Sequence, residues 1–355
     1  MSIQVVGIEE VCSEMFAGGD APKGHMSSSR TEEYSIPIYS NGEDNDGLYG
    51  YTDKPRVIKP SITISARGTI GYTVIRKEPY VPVVRLISIT PISEKVTLEY
   101  LSYALQNYHF VGSGTSIPQL TIPMLKEYKF PLPDLPTQRR IAATLDKVSE
   151  GIALCKQMLA DLDELVKSQF VEMFGDPTIN SHSLPQKTLP ELGENLDSRR
   201  IPITSSDRKA GQYPYYGASG IVDYVDGFIF DEDILLISED GANLLARVTP
   251  IAFPASGKVW VNNHAHVIRF DSMAKQVYIE YLLNMIDISN YVTGTAQPKL
   301  NQAKMNTIPI PVPEEAQMER FRELTEQSDK SKLAVQQQLA ELETLKKSLM
   351  QIYFG

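Results

Sequence analysis

The chain has 355 residues, a length that suits about two domains. With 42% hydrophobic and 22% charged residues it has ordinary globular composition, which excludes a mainly disordered or collagen-like chain. Its net charge of −10 lacks the basic excess by which a nucleic-acid binder usually shows itself, so any contact with DNA has to come through local patches or a partner.

In chain order, strand-like runs lie at residues 56–65, 72–76 and 81–89, and apolar residues recur at helical spacing over 98–107. A long helix is predicted over about 137–174. Pro136 suits its first turn, and Gly175 followed by Asp176-Pro177 stops it. Further strand-like runs follow at 228–230, 234–238, 248–253 and 259–270, then a short helix at 277–285 and a second long helix to the end. Glycines such as Gly47, Gly68, Gly220, Gly241 and Gly257 punctuate the strands. Strands and helices do not alternate as in a doubly wound sheet, so the fold class is α+β.

No apolar run approaches the ~18 residues of a membrane span. The first ten residues lack the basic head and apolar stretch of a secretory signal. Cys12 and Cys155, the only cysteines, cannot build a disulfide framework, so a cytoplasmic location is expected.

The chain repeats itself at a shift of about 180 residues. Pro131-Leu132-Pro133-Asp134 matches Pro311-Val312-Pro313-Glu314. Leu159, Leu162, Leu165, Lys167, Ser168, Phe174 and Gly175 match Leu339, Leu342, Leu345, Lys347, Ser348, Phe354 and Gly355 without a gap. Upstream, Leu98-Glu99-Tyr100-Leu101 pairs with Ile279-Glu280-Tyr281-Leu282, and Ile36-Pro37-Ile38-Tyr39 with Tyr213-Pro214-Tyr215-Tyr216. Gly114-Thr115-Ser116-Ile117-Pro118-Gln119-Leu120 pairs with Gly294-Thr295-Ala296-Gln297-Pro298-Lys299-Leu300. Each half is therefore one globular domain followed by one long helix, with segments 1–133, 134–176, 177–311 and 312–355.

The first long helix carries a seam at Ile141, Leu145, Val148, Ile152, Cys155, Leu159, Leu162, Val166, Gln169 and Met173. That alternating 4,3 spacing is the a/d pattern of a coiled coil. At a rise of 1.5 Å per residue the helix would be about 57 Å long, too long for burial in one small domain. The second helix repeats the seam less purely, through Phe321, Thr325, Ser328, Lys332, Val335, Leu339, Leu342, Lys346, Leu349 and Tyr353. An antiparallel pair sets Thr325 opposite Gln169, polar against polar. Two helices that each pack on a separate partner are the alternative.

Catalytic signatures are missing. Neither a Gly-x-Gly-x-x-Gly nor a phosphate loop occurs; Ala252 stands where the loop before Gly257-Lys258 would need glycine. No Asp/Asn-Pro-Pro-aromatic run marks an amino-methyltransferase. His264 and His266 fall on one strand face without a Cys or third His nearby, which suits structural or groove-facing residues better than metal ligands. Asp231-Glu232-Asp233 reads as a solvated turn.

Two dissimilar domains, each with a Pro-rich lead-in and a long helix ending in Phe-Gly, resemble the specificity subunit of type I restriction–modification enzymes. The likeness covers essentially the whole chain. It is strongest at 131–175 with its repeat 311–355, in the Gly294–Leu300 loop, and in Val261-Asn262-Asn263-His264-Ala265-His266-Val267-Ile268. The first domain departs from the pattern: Val81-Pro82-Val83-Val84 has no Asn-Asn-His. The resemblance implies two tandem target-recognition domains that read different halves of a split, asymmetric DNA target. It implies an antiparallel coiled coil that acts as spacer and docks methyltransferase subunits, with or without a restriction subunit. It also implies a non-catalytic chain without a cofactor of its own, S-adenosylmethionine, ATP and Mg being held by partner subunits. A related assembly with fused methylase–nuclease subunits and a non-DNA coiled-coil scaffold remain as alternatives.

Candidate DNA-contacting residues are Thr295, Gln297, Lys299 and Asn301, with Tyr215, Lys258 and His264, in the second domain. In the first they are Thr115, Ser116 and Gln119, with Arg67 and Tyr39. Gln pairs with adenine and Lys donates to guanine in the major groove. Arg199, Arg200, Arg208 and Lys209 form a basic stretch that suits phosphate contact or a solvated loop equally.

Overall fold

A computed structural model describes residues 4–112, 118–294 and 296–355. The chain divides into two compact units, residues 1–156 with 337–355 and residues 157–336. The fold is α+β, and each unit contains one globular domain and half of each long helix.

In the first unit a four-stranded antiparallel sheet runs in the order Cys12–Ala17, Ile87–Pro91, Ser61–Ile64, Thr73–Arg76. Helix Leu98–Asn107 begins at Thr97, whose side chain caps the Tyr100 N–H, and it buries Tyr100, Leu101, Tyr103, Ala104 and Leu105. A second sheet joins Met26–Ser27, Leu48–Thr52, Ile36–Tyr39 and Val81–Pro82. The second unit repeats the plan. Its first sheet runs Gly193–Asn195, Ala265–Phe270, Ile234–Ser238, Ala252–Ala255, with helix Met273–Met285 beside it. Its second sheet contains Gly220–Val225, Ala210–Gly217, Lys258–Val261 and Phe230–Asp231. All five residues of Ile234–Ser238 are buried, so this strand has the continuous apolar run of one covered on both faces.

Two expected strands are interrupted, both at turns that matter below. Residues 81–89 break at Val84 and Arg85, which adopt φ 53° and 69°. Residues 259–270 break at 262–264, where the Asn262 side chain accepts the His264 N–H (2.8 Å) and turns the chain on itself. Strand 56–65 shortens to Ser61–Ile64, beyond Pro60.

The helices follow expectation, except that the one expected at 277–285 begins a turn earlier, at Met273. Leu98–Asn107 has the expected bounds, and the long helices run Leu135–Phe174 and Glu315–Phe354. None of the twenty seam positions is exposed, and Cys155 is buried in the seam. Between 152 and 165 every off-seam residue is exposed, as a two-stranded coil requires. The pairing is antiparallel within the units. Gly151 faces Leu342 in the first. Asp163 meets Lys332 (2.7 Å) and Phe170 meets Phe321 in the second.

The repeat is written in hydrogen bonds. The Tyr100 hydroxyl donates to the Pro131 carbonyl and the Tyr278 hydroxyl to the Pro311 carbonyl, each at 2.6 Å. Phe354 packs on Tyr100 and Phe174 on Tyr278. Tyr100 is thus the counterpart of Tyr278, not of Tyr281. The sequence pairing of 98–101 with 279–282 is one helical turn out of step, because Tyr-x-x-Tyr recurs in both helices and either phase superposes a tyrosine. Each Pro-rich lead-in also forms a strand: Lys129–Leu132 pairs with Gln4–Gly7, and Ile310–Pro311 with Gln186–Lys187.

Candidate nucleic-acid interface

In both domains one loop is tied to the same strand end by an equivalent backbone bond. The Leu120 N–H donates to the Ala66 carbonyl (2.9 Å) just beyond strand Ser61–Ile64. The Leu300 N–H donates to the Glu239 carbonyl (2.8 Å) just beyond Ile234–Ser238. Leu120 and Leu300 are buried anchors. Ladder register extends the correspondence: Ile64 pairs with Ile87, and Ile237 with His266. Arg67 therefore takes the place of Asp240, Arg85 that of His264, and Gln119 that of Lys299.

The side chains at these places differ. In the first domain Arg67 donates through Nε and Nη2 to Gln119 Oε1 (3.0 and 2.7 Å). In the second, Lys299 pairs with Glu239 (3.1 Å) and His264 Nδ1 with Asp240 (2.7 Å). Gln297, Lys299 and His264 are exposed. The hairpin that carries Gln297 is closed by two backbone bonds between Thr293 and Lys299 (2.8 and 2.7 Å). Gly294 sits at φ 84°, and a Cβ there would lie 2.6 Å from the Gln297 carbonyl oxygen, so the turn requires glycine.

Behind the second domain's tip is a buried charge network. His266, 1% exposed, meets Asp197 through Nδ1 (2.6 Å) and the Leu300 carbonyl through Nε2 (2.8 Å). Arg200 reaches Glu239 (2.7 Å), the Ala265 carbonyl (2.8 Å) and Asp197 (3.3 Å). Burial opposes ionisation of Asp197 and Glu239. The facing His266, Arg200 and, for Glu239, Lys299 outweigh it and hold both carboxyls below their ordinary range. The network fixes the backbone on which Leu300 hangs.

Not every expected contact survives. Tyr215 is 1% exposed; its hydroxyl bonds the Ile203 backbone (3.0 and 3.3 Å) and Arg208 covers its ring, so it is a core residue. Tyr39 is half-buried, with Arg76 stacked 3.5 Å from its ring centre and Tyr80 at its edge, and is likewise structural. Lys258 lies at the far end of its strand from the 262–264 turn, above the Phe228 ring. Asn301 is a helix cap: its side-chain oxygen accepts the Lys304 N–H (3.0 Å). Thr115, Ser116 and Thr295 lie outside the described residues.

The model for the type I restriction modification DNA specificity domain matches residues 2–164 and again 186–344. The chain belongs to that specificity family. Among its relatives, a type I restriction enzyme specificity subunit of Haemophilus influenzae is 34% identical over 140 residues, 39% of this chain and 36% of that one. A type I specificity subunit of Mycoplasma pneumoniae is 38% identical over 141 residues, 39% of this chain and 38% of that one. Each match spans a little over a third of the relative's length. The MjaIX specificity subunit of Methanocaldococcus jannaschii is 23% identical across 95% of this chain and 87% of its own. A type I S subunit from M. genitalium has the same fold, with TM-score 0.66 and 17% identity over 100% of this chain and 96% of that one.

The basic stretch between strands Gly193–Asn195 and Ala210–Gly217 is used within the fold. Arg199 pairs with Glu232 (2.7 Å), Arg200 with Glu239, and Arg208 with Asp223 (3.3 Å). None of these three guanidinium groups is therefore simply solvated. Arg85 was missed by sequence reasoning. The only signal was its place in a Val-Val-Arg run, which reads as strand.

Proposed function

We propose that this chain is the DNA-reading subunit of a type I restriction–modification assembly. Its two domains each address one half of a split, asymmetric duplex target. The observation that carries the reading is the duplicated loop bracket with unlike tips. Leu120 and Leu300 hang equivalent loops from equivalent strand ends, while Arg67, Arg85 and Gln119 stand at one tip and Asp240, His264 and Lys299 at the equivalent places of the other. Side chains of different chemistry in one frame suit different base edges.

The acidic balance fits a division of labour. Affinity that does not depend on sequence comes from Lys and Arg meeting phosphates, and methyltransferase subunits docked on the long helices supply much of it. Those subunits hold S-adenosylmethionine and perform the transfer. ATP and Mg serve a restriction subunit where one joins. A mobility-shift assay on random duplex with the methylase present, followed by methylome sequencing with and without this gene, tests the reading. A split motif that disappears with the gene supports it. Unchanged methylation and no shift would leave a protein-binding scaffold instead.

A further inference from the structure

We infer that the Val84–Arg85 turn is the tip with which the first domain reads a guanine, an assignment that rests on the DNA-reading role proposed above. The turn occupies the place of Asn263–His264 in the second domain, two residues before the strand residue paired with Ile64. Its backbone is strained. Val84 at φ 53° and Arg85 at φ 69° lie in the left-handed region, which a β-branched residue rarely enters.

The surroundings enforce that conformation. The Val84 N–H donates to the Gly19 carbonyl (2.8 Å) and the Arg85 N–H to the Gly18 carbonyl (3.1 Å). The Asn41 side-chain NH2 donates to the Val84 carbonyl (2.6 Å), while its oxygen accepts the Ala66 N–H (2.7 Å). Gly18 permits the close approach, since a Cβ there would lie 2.5 Å from the Pro82 carbonyl oxygen. Yet this over-determined turn puts both side chains into solvent, with Val84 43% exposed. Stability alone does not explain a strained turn that exposes a valine. Presentation of a side chain does.

What it presents suits one ligand chemistry. Arg85 lines a cleft of about 620 Å³ with Arg67, Lys23 and Tyr49, Asp20 being the acid at its rim. Among the described residues neither Arg85, Arg67 nor Lys23 forms an ion pair. Arg67 is aimed by the two hydrogen bonds it donates to Gln119 Oε1. Among the described residues Arg85 has no such tether, so its planar fork is free to meet the O6 and N7 acceptors of guanine, which a fixed guanidinium fork matches more closely than the point charge of a lysine ammonium.

The test selects bound sequences from a pool of randomised duplexes, using the chain assembled with its methylase, for the native protein, Arg85→Ala and Arg85→Lys. The expected result is one position in one half-site at which guanine preference falls roughly 5- to 150-fold in Arg85→Ala and by less in Arg85→Lys. The other half-motif stays unchanged and reports intact assembly. An intact motif with uniformly weaker binding would make Arg85 a phosphate contact and overturn the assignment. A native motif with native affinity would overturn it too. Failure of the native assembly to select any motif would instead overturn the DNA-reading role, and this assignment with it.

Discussion

At the tip of the first domain Arg67, held by Gln119, and Arg85 line a cleft and form no ion pair among the described residues, whereas in the second His264 contacts Asp240 and Lys299 pairs with Glu239. Ala66 in the first domain stands where the second has Glu239. Beneath the tips, Ile87 fills the position that His266 takes, with Asp197 and Arg200 gathered around it. What the two share is backbone: a Leu N–H on a strand-end carbonyl, a Tyr hydroxyl on a proline carbonyl, and a terminal Phe on that Tyr. A frame held by backbone groups and buried aromatics makes no demand on the exposed residues. The tips can therefore diverge in charge without loss of fold.

If the frames are equivalent, their keystones should be equally necessary. Phe174→Ala and Phe354→Ala each empty a buried aromatic site and should cost about 3–5 kcal/mol. The loss should be local, in the second unit for Phe174 and in the first for Phe354, as read by hydrogen exchange of the two units. A silent variant would show that one frame does not use its phenylalanine.

The charge network should separate the domains next. Asp197→Ala leaves His266 and Arg200 without their shared carboxylate and should cost about 3 kcal/mol in the second unit. Ile87 gives the first unit no counterpart. Because Asp197 and Glu239 ionise more readily in the fold, their contribution is present above the unfolded carboxylate range and fades as pH falls through their lowered values. Acid titration followed by tryptophan fluorescence, Trp260 being the chain's only tryptophan, should show the joint contribution fading in the wild type and the Asp197 share of it absent from Asp197→Ala.

A smaller effect of opposite sign is expected at Glu280. Burial, and then the neighbouring Asp329, push its carboxyl up to about 7 from 4.5. The fold therefore favours its protonated form: stability falls as pH rises from 4.5 toward 7 and stays lost above it. Glu280→Gln should raise stability by about 1–2 kcal/mol at alkaline pH, allowing for partial exposure, and change little near the unfolded value. Equal melting shifts at both ends would refute the protonation account.

The smallest difference concerns salt. Arg67→Ala should reduce the salt slope of DNA binding by about one if its guanidinium meets a phosphate. Lys299→Ala should reduce it by less, because Glu239 already neutralises part of that charge. Equal slopes would mean that Lys299 leaves Glu239 on binding.

Much of the fold was legible because it is periodic. The 4,3 seam located both long helices and their buried faces, even where Thr325 and Ser328 make it polar, since spacing rather than composition carries the signal. The duplication was legible for the same reason, though its phase slipped by a turn at Tyr100. The tips were only half legible. Gln119, Lys299 and His264 stand out as polar residues in turn-rich segments, but Tyr215 and Asn301 look the same in sequence and prove to be a core residue and a cap. The Val84–Arg85 turn was invisible: nothing local asks valine to adopt positive φ. Gly18, Gly19 and Asn41, distant in sequence, impose it.

The central claim is that two equivalent frames with unlike tips read two unlike half-sites independently. The most direct measurement is the target motif of the assembled complex when only the second tip is stripped, with His264→Ala and Lys299→Ala combined. The account predicts degeneration of one half of the motif while the other half keeps every base preference. A motif that changes in both halves, or in neither, would contradict it.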